Sequence, residues 1–178
     1  MELEEIIKEK RLIDVNLFSS QEVSYTGVCL KANKNIWILV NYDFKKKAFN
    51  GFTVFRNNIV ETFSLWKKTA IVLKRNNLTE FTDFHPLTNA KTLYSSLKWG
   101  KKFGLVAIFT ETNTRSYFVG KIILLNPRCI ILRLITNEGK WSIKKTINLK
   151  EIYFISFYTD YEIILLQKSN KIPSPPKP

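Results

Sequence analysis

The chain has 178 residues and a mass of 20.9 kDa, room for one ordinary domain or two small ones, which excludes a large multi-domain enzyme. Its residues are 45% hydrophobic and 13% aromatic, enough for a packed core and too much for a disordered chain. Twenty-eight Lys and Arg against 15 acids give a formal charge of +13, so polyanions are the default partners, nucleic acid first and an anionic membrane surface second.

The first pattern is helical: Leu3, Ile6, Ile7 and Lys10 share a face, and Glu4 and Lys8 stand at i,i+4. Strand-like stretches follow at Leu12–Phe18, Tyr25–Ala32, Ile36–Tyr42 and Thr53–Phe55, with β-branched and aromatic residues set between turn residues. A fifth strand starts at Ile59 and resumes over Thr69–Leu73. Residues 75–87 read as a linker. A second helix is expected from Thr88 or Asn89 as N-cap, through the stripe Leu93, Tyr94 and Leu97, to a stop at Gly100. Strands then recur at Leu105–Phe109, Tyr117–Leu125, Cys129–Thr136 and Thr146–Asn148, and from Ile152 through Tyr161–Leu166. Residues 168–178 end Ile-Pro-Ser-Pro-Pro-Lys-Pro, a basic tail of polyproline type expected to be disordered.

Laid on itself with a shift of 93 positions and no gap, the chain matches 12–73 with 105–166, and 10 of the 62 pairs are identical, among them Gly27/Gly120, Asn33/Asn126 and Ile38/Ile131. Apolar pairs such as Val15/Ile108 and Tyr25/Phe118 keep the same register. The sequence therefore reads as mainly β, two tandem small five-stranded antiparallel barrels of the SH3-like kind, each preceded by a short helix. The divisions are 1–74, the linker 75–87, 88–167 and the tail 168–178.

Cys29 and Cys129, the only cysteines, lie in apolar runs and read as small buried hydrophobes in a reducing cytoplasm. The start, Met-Glu-Leu-Glu-Glu, is acidic where a signal peptide is basic, and no apolar run nears the roughly 18 residues of a spanning helix, so no integral membrane segment is expected. The only histidine, His85, precedes Pro86 in the linker, and no metal-ligand spacing, glycine-rich phosphate loop, nucleophile elbow or carboxylate pair occurs. Glu111 and Asp160 read as exposed acids at strand ends. No catalysis, metal or cofactor is expected.

Gly27 is followed six positions later by Asn33 and then by the apolar strand from Ile36, and Gly120 likewise by Asn126 and Cys129. The segment Phe55-Arg56-Asn57-Asn58-Ile59 places a cation after an aromatic and before Ile, while Asn148-Leu149-Lys150-Glu151-Ile152 keeps the Ile and one lysine. In these spacings, over about 124 residues, the chain resembles the Sm and Sm-like superfamily, including bacterial RNA chaperones of the Hfq type, as a tandem duplication. The family's turn Asp is Asn in both copies, and its Arg-Gly motif is missing.

The resemblance implies single-stranded RNA bound beside the turns. In the first copy those turns offer Lys31, Asn33, Asn35, Arg56, Asn57 and Asn58, amides that read base edges next to cations for phosphate. The second offers Asn126, Arg128, Lys144, Lys145 and Lys150, rich in charge and poorer in amides. Asn33 serves equally well as a turn residue, and Trp37 and Phe55 as core rather than stacking surface. The lysine runs read as solvated loops or as phosphate contacts. Charge divides as +4 over 1–74, +3 over 75–104 and +6 over 105–178. Two functions follow: an RNA-binding regulator or chaperone, or an adaptor of the same fold that binds a protein partner in a bacterial assembly. The resemblance also implies pairing of fourth and fifth strands between modules, within one chain or in a homo-oligomeric ring of three chains.

Overall fold

The computed structural model describes residues 2–18, 24–66, 85–110 and 117–171. Ten strands run in chain order: β1 (Leu12–Leu17), β2 (Ser24–Ala32), β3 (Ile36–Asp43), β4 (Ala48–Arg56), β5 (Val60–Leu65), β6 (Val106–Phe109), β7 (Tyr117–Leu125), β8 (Cys129–Ile135), β9 (Trp141–Asn148) and β10 (Phe154–Phe157). The described helices are α1 (Leu3–Lys8), α2 (His85–Thr88), α3 (Leu93–Gly100) and α4 (Asp160–Lys171).

The protein is mainly β, as its alternating apolar pattern requires. The strands pair antiparallel into one sheet, ordered β5-β1-β2-β3-β4-β10-β6-β7-β8-β9. The hydrogen-bond ladder is thus continuous and open, instead of closing into two separate five-stranded barrels. The reason lies in β4 and β10. An unpaired strand exposes a row of N–H and C=O groups, and these two strands carry Phe52, Val54 and Phe55 against Phe154, Ile155 and Phe157, all fully buried. Pairing Phe55 with Phe154 and Phe52 with Phe157 satisfies both edges and both sets of side chains together.

Within the sheet one order occurs twice, β5-β1-β2-β3-β4 and β10-β6-β7-β8-β9. Ile13 opposes Gly27 and Gly27 opposes Asn41, as Val106 opposes Gly120 and Gly120 opposes Leu134. Bulges recur at matching places, Cys29/Lys31 with Ile122/Leu124 and Val40/Tyr42 with Arg133/Ile135, and bend both halves alike. Beyond β3 and β8 the match slips. Trp37 pairs with Phe55 but Ile130 with Ile147, so the second half has a hairpin one residue shorter. The ungapped identities Thr53/Thr146 and Ile59/Ile152 are therefore one position out of structural register.

Equivalent inner ladders fill two cores. Ile13, Val15, Cys29 and Leu39 pack in one cluster, and Val106, Ile108, Ile122 and Leu132 in the other. The second cluster also holds the opposite face of the first half, Leu12, Val28, Val40 and Phe52, packed with Leu93 and Leu97 of α3.

Two local expectations change. The N-cap of α3 is Thr92, whose hydroxyl accepts from Ser95 N–H while the Ser95 hydroxyl accepts from Thr92 N–H, a reciprocal arrangement that Thr88 and Asn89 cannot make because Thr88 ends α2. The α-helix ends at Gly100 as expected, and the chain runs on through a 3-10 turn (Lys101–Phe103) to Gly104, φ +98°. Tyr161–Leu166 lies in α4 and not in a strand. Its β-branched run looks extended, but Glu162 reaches back to accept from Thr159 N–H and Oγ–H, and Glu162, Leu165 and Ser169 are buried at helical spacing. Asp160 accordingly starts a helix, pairs with Lys46 and donates its N–H to Asn50 Oδ1. The strand expected over 69–73, most of the linker and the end of the tail lie outside the described residues; 85–87 belong to α2.

At Gly27 and Gly120 the constraint is close approach: a Cβ would sit 2.1 Å from Val40 O and 2.3 Å from Arg133 O. Gly120→Ala is expected to cost about 3 kcal/mol in urea unfolding, because the obstacle is backbone that cannot yield. Burial raises the pKa of the Glu162 carboxyl, against the bonds from Thr159 and Ser156. A carboxyl whose folded-state pKa is raised binds its proton more tightly in the native state, so its contribution is present at acid pH and is lost as pH rises through the folded value. Unfolding measured across that window should show stability falling with pH, and Glu162→Gln should flatten the fall.

Candidate functional site

The turns singled out by sequence meet on one rim of the sheet. Asn33 Oδ1 accepts from the N–H groups of Asn35 and Ile36, 2.8 and 3.0 Å. Asn126 Oδ1 accepts in the same way from Arg128 and Cys129, 2.8 and 2.9 Å. Both asparagines close their own turns, so their carbonyl oxygens are engaged and the turn-residue reading is the one found. The following turns dock on them: Asn57 N–H donates to Asn35 O and Leu149 N–H to Arg128 O, each 2.9 Å.

Arg56 ties the two halves at this rim. Its Nε and one terminal nitrogen donate to the carbonyls of Ile152 and Leu149, and its backbone N–H donates to Tyr153 O at 3.0 Å. The partial burial that this requires lowers the guanidinium pKa from its ordinary value. A planar fork suits two carbonyls at once, which a lysine cannot copy. In the repeat this position is occupied by Asn148, whose side chain accepts from Lys150 N–H within its own turn.

Other members of the set also bond to the scaffold. Lys31 Nζ donates to Thr88 O at 2.6 Å and Asn35 Nδ2 to Lys91 O at 3.1 Å, holding the start of α3 on the sheet. Asn57 Oδ1 accepts from Trp37 Nε1 at 2.7 Å. Trp37 and Phe55 are 6% and 0% exposed, so they are core and offer no stacking surface. Exposed along the rim are Lys34, Asn35, Asn57, Asn58, Arg128, Asn148 and Lys150; the side chains of Asn35, Asn57 and Asn148 are engaged in the bonds above, and those of Lys34, Asn58, Arg128 and Lys150 lie outside them. Lys34, Asn35, Arg56, Asn57 and Asn58, with Thr92 and Leu93, line a cleft of about 310 Å³ there.

Lys144 and Lys145 are not part of this rim. They lie on β9, opposite Arg133 and Leu132 respectively, and so on opposite faces of the sheet. Lys145 lays its ammonium 4.9 Å from the Phe118 ring centre.

A second cleft, of about 610 Å³, lies among Tyr25, Asn41, Tyr42, Phe44, Lys45 and Asn50. Asn41 donates to Asn50 O at 3.3 Å, while its Oδ1 is buried with no partner among the described residues. Sequence reading missed it because Tyr25 and Asn41 sit inside strands that look like plain core. Cys29 is buried, which pushes its thiol up to about 12, and Cys129 is half-buried; both are free. Among the described residues no group of three His, Cys, Asp or Glu side chains could hold a metal, and no helix is long and apolar enough to cross a membrane.

Compared with known proteins, the chain matches no family model, no curated protein and no solved structure. The rim is a ridge of amide and cationic side chains built on hydrogen-bonded turns, groups of the kind that hold phosphate and bond base edges.

The Arg56 clamp can be tested directly. Arg56→Met removes both donors from carbonyls in the joint and should cost about 2 kcal/mol in chemical unfolding. Arg56→Lys should recover less than half of that loss, since a single ammonium cannot serve both acceptors.

Proposed function

We propose that the protein is a non-enzymatic RNA-binding protein of the cytoplasm, made of two Sm-like modules fused edge to edge, that takes single-stranded RNA along the turn rim. The observation that carries this reading is the convergence of four turns, two from each half, on one rim that leaves Lys34, Asn58, Arg128 and Lys150 exposed. The +13 charge and the doubled strand order support it. In this reading each five-stranded half is a bent, partly closed barrel of the Sm type, and the joint between β4 and β10 is the pairing by which such modules associate. Asn33 and Asn126 shape the turns, Arg56 and Lys31 lock them, and the exposed cations and Asn58 meet the ligand.

The residues of the joint also argue for a single two-module arc over a ring. Carrying the register of the internal joint to a neighbouring chain sets Leu65 and Ser64 of β5 against Lys144 and Lys145 of β9, where the internal joint has Phe157 and Ser156 against Phe52 and Thr53. Lysines on an edge strand oppose such pairing. The adaptor reading is favoured by the other edge, β5, which carries no lysine and to which a partner protein could add a strand.

Fluorescence anisotropy with A-rich and U-rich single-stranded oligonucleotides over a salt series tests the proposal. Binding should be sub-micromolar at low salt with a steep negative log–log slope, and Lys34→Ala/Asn58→Ala should weaken it about tenfold, with light scattering giving the mass of one chain. Micromolar binding that ignores the rim substitutions would leave only polycation behaviour and favour the adaptor.

A further inference from the structure

The two halves differ most on one face. In the first half, Val28 opposes Val40 and Val40 opposes Phe52 across β2, β3 and β4, and all three are fully buried beneath α3 and its surroundings. The structurally equivalent positions of the second half are Lys121 opposite Arg133 and Arg133 opposite Lys144, across β7, β8 and β9. All three are exposed, and none takes part in the ion pairs found among the described residues. An apolar rung has become a rung of three cations.

Like charges directly opposite one another on a sheet are destabilising, so this arrangement works against the fold. Edge protection accounts for Lys144 alone, since Lys121 and Arg133 stand on interior strands. Arg133 is steadied over the Trp141 ring, 5.6 Å from its centre, which keeps its guanidinium on the sheet face. The neighbouring rung on the same face is Leu124, Ile131 and Thr146, exposed or half-buried, and β8 then leads within about 15 Å to the rim at Arg128. A polyanion whose charges repeat along a flexible chain relieves the repulsion, and its bases have the apolar rung to lie on.

We propose that the outer face of β7, β8 and β9 is a phosphate-binding track for single-stranded RNA, with Lys121, Arg133 and Lys144 as its cations, continuous with the turn rim. The proposal rests on the RNA reading above and adds a site to it. A lipid surface is less well matched, because that rung exposes one large apolar side chain, Leu124, beside Thr146 and half-buried Ile131, and the face has no exposed tryptophan among its described residues.

The test compares the full chain with Lys121→Gln/Arg133→Gln/Lys144→Gln and with a control of equal charge loss on helical surfaces, Lys8→Gln/Lys98→Gln/Lys101→Gln. Labelled U-rich and A-rich oligonucleotides are titrated across a salt series. Each single-strand phosphate contact contributes about 0.7 to the log–log slope, so the track variant should lose about 2 in slope and at least tenfold in affinity, with the control within about twofold of wild type. Its thermal midpoint should rise, because the opposed charges are gone. Equal weakening by both triple variants, or an unchanged slope in the track variant, overturns the track. If the rim pair Lys34→Ala/Asn58→Ala weakens binding while the track variant does not, the track fails and the RNA reading stands. If neither the track variant nor the rim pair weakens binding more than the control triple does, both fail together. Vesicles of phosphatidylserine and phosphatidylcholine that bind through the three cations, with RNA indifferent to them, overturn the track in favour of a membrane.

Discussion

Everything else in the molecule depends on the joint between β4 and β10. Its four rungs pair two strands that would each be an open edge in an isolated half, and it assembles a run of aromatic rings through the middle of the sheet. Phe154 stacks on Phe109 with ring centres 4.1 Å apart, packs 5.6 Å from Phe55 and meets the edge of Tyr25, while Phe157 stacks on Phe103 at 5.3 Å. Such rings contribute both buried area and favourable ring geometry. At the end of the joint, Arg56 closes over the carbonyls of Leu149 and Ile152. The halves are therefore parts of one folding unit. The burial of each is completed by the other, and the position of either set of turns is meaningful only in the presence of both.

That dependence explains what could be read from sequence and what could not. The strands, their order of appearance and the repeat were legible because period-two apolar patterns and the glycines at 27 and 120 are local signals. The one-residue difference between the hairpins was not, since a gap leaves no trace in an ungapped comparison, and a single residue changes the face of every later side chain. The helix at 160–171 hid behind the β-branched Ile163 and Ile164, and the Thr159–Glu162 box that starts it was the overlooked cue. The pairing of β4 with β10 connects residues a hundred positions apart, and no local pattern encodes it.

The candidate residues divide in the same way. Residue type and spacing picked out turns that the fold brings together on one rim, yet the side chains with the strongest chemistry there, Arg56, Lys31 and Asn57, bond to the scaffold. Residues of less specific appearance, Lys34, Asn58, Arg128 and Lys150, are left at the surface. The cationic rung was invisible for a further reason. Lys121, Arg133 and Lys144 are scattered singly or in a pair along the chain, and only strand register brings them into line.

The shift from valine and phenylalanine in one half to lysine and arginine in the other means that the halves are not interchangeable parts. A chain built from two copies of the first half would present a greasy stripe with no helix to cover it, and would be prone to self-association. One built from two copies of the second would give α3 a charged floor on which its leucines could not rest. Of the two possible orders of these modules, only the one found here places the apolar face under the connecting helix and the charged face outward, so the sequence order of the halves is itself a determinant of folding.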